Sequence, residues 1–208
     1  MIKNILWKVD GVLFDTYPAF TYAISKSLNE QGLTMALNVI DGYVRHSIDH
    51  CIDTIAQRFK LDPNLLHTRF TETYREIPPD NQLPFPDVRN VCTAVHARRG
   101  LNVIVTHRSI KSTQRLLKVH DFSALIDDIF SFEQGFSRKP DSSLLLAALE
   151  KHNLDPSKTL LVCGREFDIQ AGRAAGVRTC LFGQTELTSS SDLQINAYGQ
   201  LQEMLTTQ

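Results

Sequence analysis

No run of apolar residues in this 208-residue chain approaches the roughly 18 that a membrane-spanning helix requires. No charge of one sign is in excess either: 22 Lys and Arg face 23 Asp and Glu, for a net charge of −1 and a pI near 6.6. That balance argues against the broad basic footprint of a nucleic-acid binder or of a protein held on anionic lipid. Cysteine is scarce and scattered. Cys51, Cys92, Cys163 and Cys180 form no CxxC pair and no Cys/His metal spacing, so they read as reduced, buried small apolar residues. Ten Gly and eight Pro are too few for collagen-like or low-complexity order, and 42% apolar residues are too many for a disordered chain. The opening MIKNILWKVDG meets Lys8 and Asp10 after only a short apolar piece, which does not suit a secretory signal. The expectation is a cytoplasmic protein.

What is present is an alternation. Short, β-branched apolar runs at 5–9, 101–105 and 160–162, and a weaker one at 177–182, read as buried parallel strands. Helical stretches at 88–99, 109–119, 141–152 and 168–175 fall between or after them. The order predicts an α/β doubly wound parallel sheet. Residues 17–83 interrupt it. There 19–31, 37–60 and 64–76 carry helical periodicity with no strand between them, and Asp62-Pro63 suits a helix start. The expected organisation is a core domain of 1–16 and 84–208, with 17–83 inserted as an all-helical subdomain.

In open α/β sheets, ligands bind outside the carboxyl ends of the strands. Four blocks occupy those positions: Lys8-Val9-Asp10-Gly11-Val12-Leu13-Phe14-Asp15-Thr16, then Thr106-His107-Arg108-Ser109, then Gly135 to Pro140 with Lys139, then Cys163-Gly164-Arg165-Glu166-Phe167-Asp168. In this order and spacing they resemble the haloacid dehalogenase (HAD) superfamily and, within it, the phosphoglycolate-phosphatase-like branch, whose helical cap follows the first motif. The resemblance implies a Rossmann-like core and a phosphomonoester hydrolase. In such enzymes a DxDGT motif supplies a nucleophilic aspartate, which forms a phosphoaspartate, and an acid/base aspartate two residues later. A Thr or Ser and a Lys hold the phosphate, and a GDxxxD block helps to bind Mg²⁺.

On that resemblance Asp10 falls on the acid/base position, Thr106 on the phosphate-binding hydroxyl, Lys139 on the lysine, and Asp168 on the later carboxylate of the metal block. Asp10 and Asp168 are the metal positions that survive. Lys8 stands where the nucleophile should be, Val12 replaces the motif's Thr, and Gly164 replaces the first Asp of GDxxxD. The usual site sets four carboxylates around one Mg²⁺ and one lysine. Here Asp10 and Asp168 face Lys8 and Lys139, which balances without a metal. The expectation is therefore no bound cofactor, with Lys8 in hydrogen-bond reach of Asp10 or Asp168, and a pseudoenzyme that binds a phosphorylated small molecule or a phosphate or sulfate anion. Two alternatives stay open: a hydrolase that uses Asp10 as general base on water, and a protein–protein interaction module.

Several residues carry a plain reading beside a functional one. His107 and Arg108 follow Thr106 at a strand end and are anion-binding candidates, or else cap or solvent residues. Arg165 is a pocket-lining candidate. Ser109 suits a helix N-cap, Gly172 helix packing, Gly176 helix termination, and Trp7 the core. Arg45 and His46 suit a solvated helix face, with ligand contact as the alternative.

Overall fold

The computed structural model describes residues 1–136, 141–183 and 191–206. The chain divides into two compact units, Met1–Phe14 with Pro84–Gln208, and Asp15–Leu83. The second unit consists of α1 (Tyr17–Asn29), α2 (Leu37–His46), α3 (Ile48–Phe59) and α4 (Pro63–Glu76), followed by a 3-10 turn at Pro79–Asn81. Its core is built from apolar residues at helical spacing, including Phe20, Ile24, Leu28, Ile40, Val44, Ile55, Leu66 and Phe70. Asp62 caps α4 as its sequence suggests: its carboxylate accepts from the Asn64 N–H at 2.9 Å, with Pro63 in the first turn. The single helix expected over 37–60 is instead two. Ser47 adopts an extended backbone (φ −168°, ψ 160°) and its hydroxyl accepts from the His50 N–H at 2.9 Å, so one residue ends α2 and caps α3.

The first unit is the α/β doubly wound fold that the alternation implies. β1 (Asn4–Trp7), β2 (Asn102–Thr106), β3 (Asp128–Ser131), β4 (Thr159–Cys163), β5 (Arg178–Phe182) and β6 (Leu193–Ile195) form one parallel sheet in the order β3-β2-β1-β4-β5-β6. Strand periodicity divides its core in two. Ile5, Trp7, Ile104, Leu160, Val162 and Cys180 face one side, where they pack with α5 (Val88–Ala97), α6 (Ile110–Val119) and α9 (Tyr198–Thr206). Leu6, Val103, Val105, Leu161, Cys163 and Leu181 face the other, against α7 (Ser143–Lys151) and α8 (Glu166–Ala174). Trp7 is core, as expected, and its indole N–H donates to Asn102 Oδ1 at 2.9 Å. The Asn102 amide in turn donates to the Cys92 carbonyl at 2.9 Å, so this buried polar pair is satisfied.

The connections leave the sheet in opposite directions on either side of β1 and β4. The crevice of the fold therefore opens at the carboxyl ends of those two adjacent strands. β3 and β6 were not expected from the sequence. Among the described residues, no helix is long and apolar enough to cross a membrane.

Candidate functional site

β1 stops at Trp7, and Lys8 continues its line for one residue, donating its N–H to the Val162 carbonyl of β4 at 3.1 Å. The chain then coils tightly. The Val9 carbonyl accepts from the N–H groups of Val12, Leu13 and Phe14, and the Gly11 N–H donates to the Phe14 carbonyl at 2.9 Å. Gly11 sits at φ 69°, in the left-handed region where a Cβ is disfavoured. The buried Tyr198 of α9 fastens this coil from below: its hydroxyl donates to the Val12 carbonyl at 2.8 Å while its ring stacks on Phe182. Burial pushes the Tyr198 phenol well above its ordinary pKa, so this donor keeps its proton.

The coil holds Lys8 and Asp10 at the crevice. Lys8 is 6% exposed, and its Nζ lies 3.6 Å from Asp168 Oδ1, whose side chain is 3% exposed in the first turn of α8. That is an ion-pair distance, longer than the hydrogen bond expected. Asp10 has a different partner from the one anticipated. Arg108 Nη1 donates to Asp10 Oδ1 at 2.7 Å, with the arginine side chain 6% exposed and the carboxylate 18%. Each pair brings a positive charge against a negative one out of water. Removing one member of such a pair costs about 3–5 kcal/mol, because the other is left buried and uncompensated.

The end of β2 is organised around Arg108. The Thr106 hydroxyl accepts from the Arg108 N–H at 3.0 Å, and Ser131 at the end of β3 donates its hydroxyl to the Arg108 carbonyl at 2.8 Å. His107 is half-buried and packs edge-on against Phe132. Ser109 caps α6, accepting from the Ser112 N–H at 3.2 Å. Gly164, after β4, has room for a side chain: a Cβ there would meet Val12 Cγ2 at 3.5 Å, an ordinary contact. Lys139 lies outside the described residues. Among the described residues no group of three or more His, Cys, Asp or Glu is placed to hold a metal ion.

The structure thus brings Lys8 to Asp168, and Asp10 to Arg108 and the Thr106 loop. Sequence reasoning did not foresee the Asp10–Arg108 pair, the Ser131 contact or the Tyr198 prop. These partners stand 98, 23 and 186 residues apart, and no motif spans such distances. Within the helical unit, Arg45 is held by Asp41 at 2.6 Å and lies over the Tyr17 ring at 4.7 Å, while the His46 ring packs on His50.

A family model for haloacid dehalogenase-like hydrolases matches residues 5–182, most of the chain. The chain belongs to that family. It is similar to the phosphoglycolate phosphatase of Aquifex aeolicus, at 26% identity over 90% of this chain and 89% of the relative. Solved structures share the fold. A protein named as a predicted phosphoglycolate phosphatase from Haemophilus somnus superposes with a TM-score of 0.85 at 17% identity, over 100% of this chain and 98% of its own. CbbY from Rhodobacter sphaeroides gives 0.78 at 16% identity, over 97% and 96%. This HAD-like chain is thus of the phosphatase type by relationship, in the phosphoglycolate-phosphatase-like branch.

Proposed function

We propose that this HAD-like protein binds a phosphorylated small molecule or a phosphate anion at the carboxyl ends of β1, β2 and β4, and does not hydrolyse it through a phosphoaspartate. Lys8, Thr106, His107 and Arg108 are the anion-binding groups of this reading, joined by Lys139 on the family motif alone, and 17–83 is the segment that the family resemblance makes a helical cap. The observation that carries it is the buried Lys8 ammonium 3.6 Å from Asp168, standing where a carboxylate nucleophile belongs. A protonated lysine cannot attack phosphorus as a carboxylate does. CbbY, which has the same fold, was solved with phosphate, and this supports the ligand class.

The donor set does not suit Mg²⁺. That ion takes near-octahedral oxygens at about 2.0–2.1 Å, whereas Asp10 and Asp168 each face a cation and Gly164 brings no side chain. No step is assigned to a metal.

The test is release of phosphate from p-nitrophenyl phosphate, with and without Mg²⁺, by the unaltered protein, Lys8→Asp, Gly164→Asp and the double variant. Turnover of the unaltered protein is expected far below the roughly 1–10³ s⁻¹ of ordinary enzymes. Each single change is expected to recover little, because nucleophile and metal ligand act as one unit, and the double more than the two singles combined. Turnover of the unaltered protein at an ordinary rate, undiminished in Lys8→Ala, would overturn the reading and turn attention to Asp10 as general base.

A further inference from the structure

The two carboxylates at the crevice each stand beside a cation of this chain. Asp168 Oδ1 has the Lys8 ammonium at 3.6 Å, and Asp10 Oδ1 has Arg108 Nη1 at 2.7 Å. These four charges cancel. Lys8 is also fixed where it stands. Its N–H donates to the Val162 carbonyl of β4 at 3.1 Å, its carbonyl accepts from the Leu13 N–H at 3.4 Å, and the residue is only 6% exposed. Gly164 is under no such constraint. A Cβ there would meet Val12 Cγ2 at 3.5 Å and the Gly11 carbonyl oxygen at 3.8 Å, so the packing admits a side chain. The two departures from the metal-binding motifs are thus of different kinds: Lys8 puts a charge into the site, whereas Gly164 only leaves a ligand out.

Resting on the reading above, in which no metal takes part, we infer that Lys8 is the resident cation of the site. Its ammonium, rather than the missing side chain at Gly164, keeps a divalent cation away from Asp168. A hard ion such as Mg²⁺ binds carboxylate oxygen at about 2.0–2.1 Å, so on Asp168 Oδ1 it would lie within about 6 Å of Lys8 Nζ. Two positive centres at that range repel strongly where water is scarce. The missing ligand is the smaller obstacle, since such ions keep several waters and are commonly held by one or two carboxylates. Withdrawing the ammonium reverses the balance, because Asp168 then loses a counter-charge in a buried place and another cation can make the loss good. The affinity for a divalent cation is masked by Lys8 and not lost from the site.

Mn²⁺ binding to the full chain, read as loss of the free-ion electron paramagnetic resonance signal, tests this with two variants of equal charge. Lys8→Met and Gly164→Asp each make the site one unit more negative, but only the first removes the ammonium. Lys8→Met is expected to bind Mn²⁺ about tenfold or more tightly than either the unaltered protein or Gly164→Asp. In EDTA its melting temperature should lie below that of the unaltered protein, and Mn²⁺ should raise it. Both the binding and the rise should vanish in Lys8→Met/Asp168→Asn, which ties them to Asp168. If Lys8→Met does not fold in EDTA, circular dichroism reads whether Mn²⁺ folds it, and failure to do so overturns the inference. Equal Mn²⁺ affinity in Lys8→Met and Gly164→Asp, or none in Lys8→Met, would overturn the role of Lys8 while leaving the metal-free reading of the unaltered protein standing. Tight Mn²⁺ binding by the unaltered protein would overturn both.

Discussion

At the scale of single residues, two glycines with the same sequence weight have opposite surroundings. A Cβ at Gly172 of α8 would lie 2.6 Å from Thr179 Cγ2 and 3.0 Å from Leu161 Cδ2, so the bare glycine is what lets this helix lie on β4 and β5. Gly172→Ala is expected to destabilise by about 1–3 kcal/mol through overpacking, although alanine is the better helix former by about 1 kcal/mol. Gly164→Ala, whose Cβ meets only ordinary contacts, is expected to stay within about 0.5 kcal/mol of the unaltered protein. Urea denaturation of both variants measures the contrast, and equal losses would contradict it. The packing role of Gly172 was legible from its place on a helix, as was the termination role of Gly176, which sits at φ 73° just beyond α8. Lys8, Asp10 and Asp168 were likewise legible as one constellation from the spacing of their motifs. Their pairing was not. Lys8 was expected against either carboxylate; it stands 3.6 Å from Asp168, while Asp10 pairs with Arg108, whose loop is held by Thr106 and Ser131.

At the scale of elements, most periodic segments and the apolar strand runs were legible, while the break within 37–60 and the strands β3 and β6 were not. α1, α4, α5 and α6 lie where apolar periodicity puts them, to within a turn at their ends. β3 has four residues and begins on Asp128 of an Asp127-Asp128 pair, while β6 has three, and both lie at sheet edges, so neither offers an apolar run long enough to recognise. β3 is held by side chains from outside itself. Asp128 accepts from Lys151 Nζ at 2.7 Å and pairs with His152 Nε2 at 2.7 Å, which ties the strand to the end of α7. Burial alone would raise the Asp128 pKa, but the bonds from Lys151 and His152 and from the Ile129 N–H outweigh it and leave the carboxyl below its ordinary value. A depressed folded pKa means stability that is present above the unfolded value, about 3.9, and is lost as pH falls through the folded one. Asp128→Asn is therefore expected to lower stability at pH 7 by on the order of 1 kcal/mol, a modest figure because Lys151 is largely exposed. The deficit should shrink below pH 4. Thermal melts of both proteins at pH 7 and pH 3 decide it, and a deficit that is the same at both would refute the charge-based account.

At the scale of the whole molecule there are two compact units, each with its own buried thiols. Cys51 belongs to the helical unit Asp15–Leu83, and Cys92 and Cys180 belong to the sheet unit. Burial pushes all three thiols up to about 12, so the reactive thiolate is scarce in the folded protein at neutral pH. Modification by a thiol reagent should then wait on opening of the unit that encloses each thiol. The helical unit is the smaller, and small cores are the less stable. As urea is raised, Cys51 is expected to label before Cys92 and Cys180, with the sites located by mass spectrometry. Simultaneous labelling of all three would mean that the chain unfolds as a single cooperative body.

By itself the sequence determined the class of fold and the ancestry of the site, because both are written in local pattern: strand runs, helical periodicity and motifs a few residues long. It also determined that Lys8 and Gly164 depart from those motifs, since this is visible residue by residue. Only the tertiary structure decided the order of the strands, the break at Ser47, the Tyr198 prop beneath Val12 and the partner of Asp10. Those depend on contacts between distant segments, made where packing brings strand ends together. A buried charge must find an opposite one wherever the fold supplies it, and here the fold supplied Arg108.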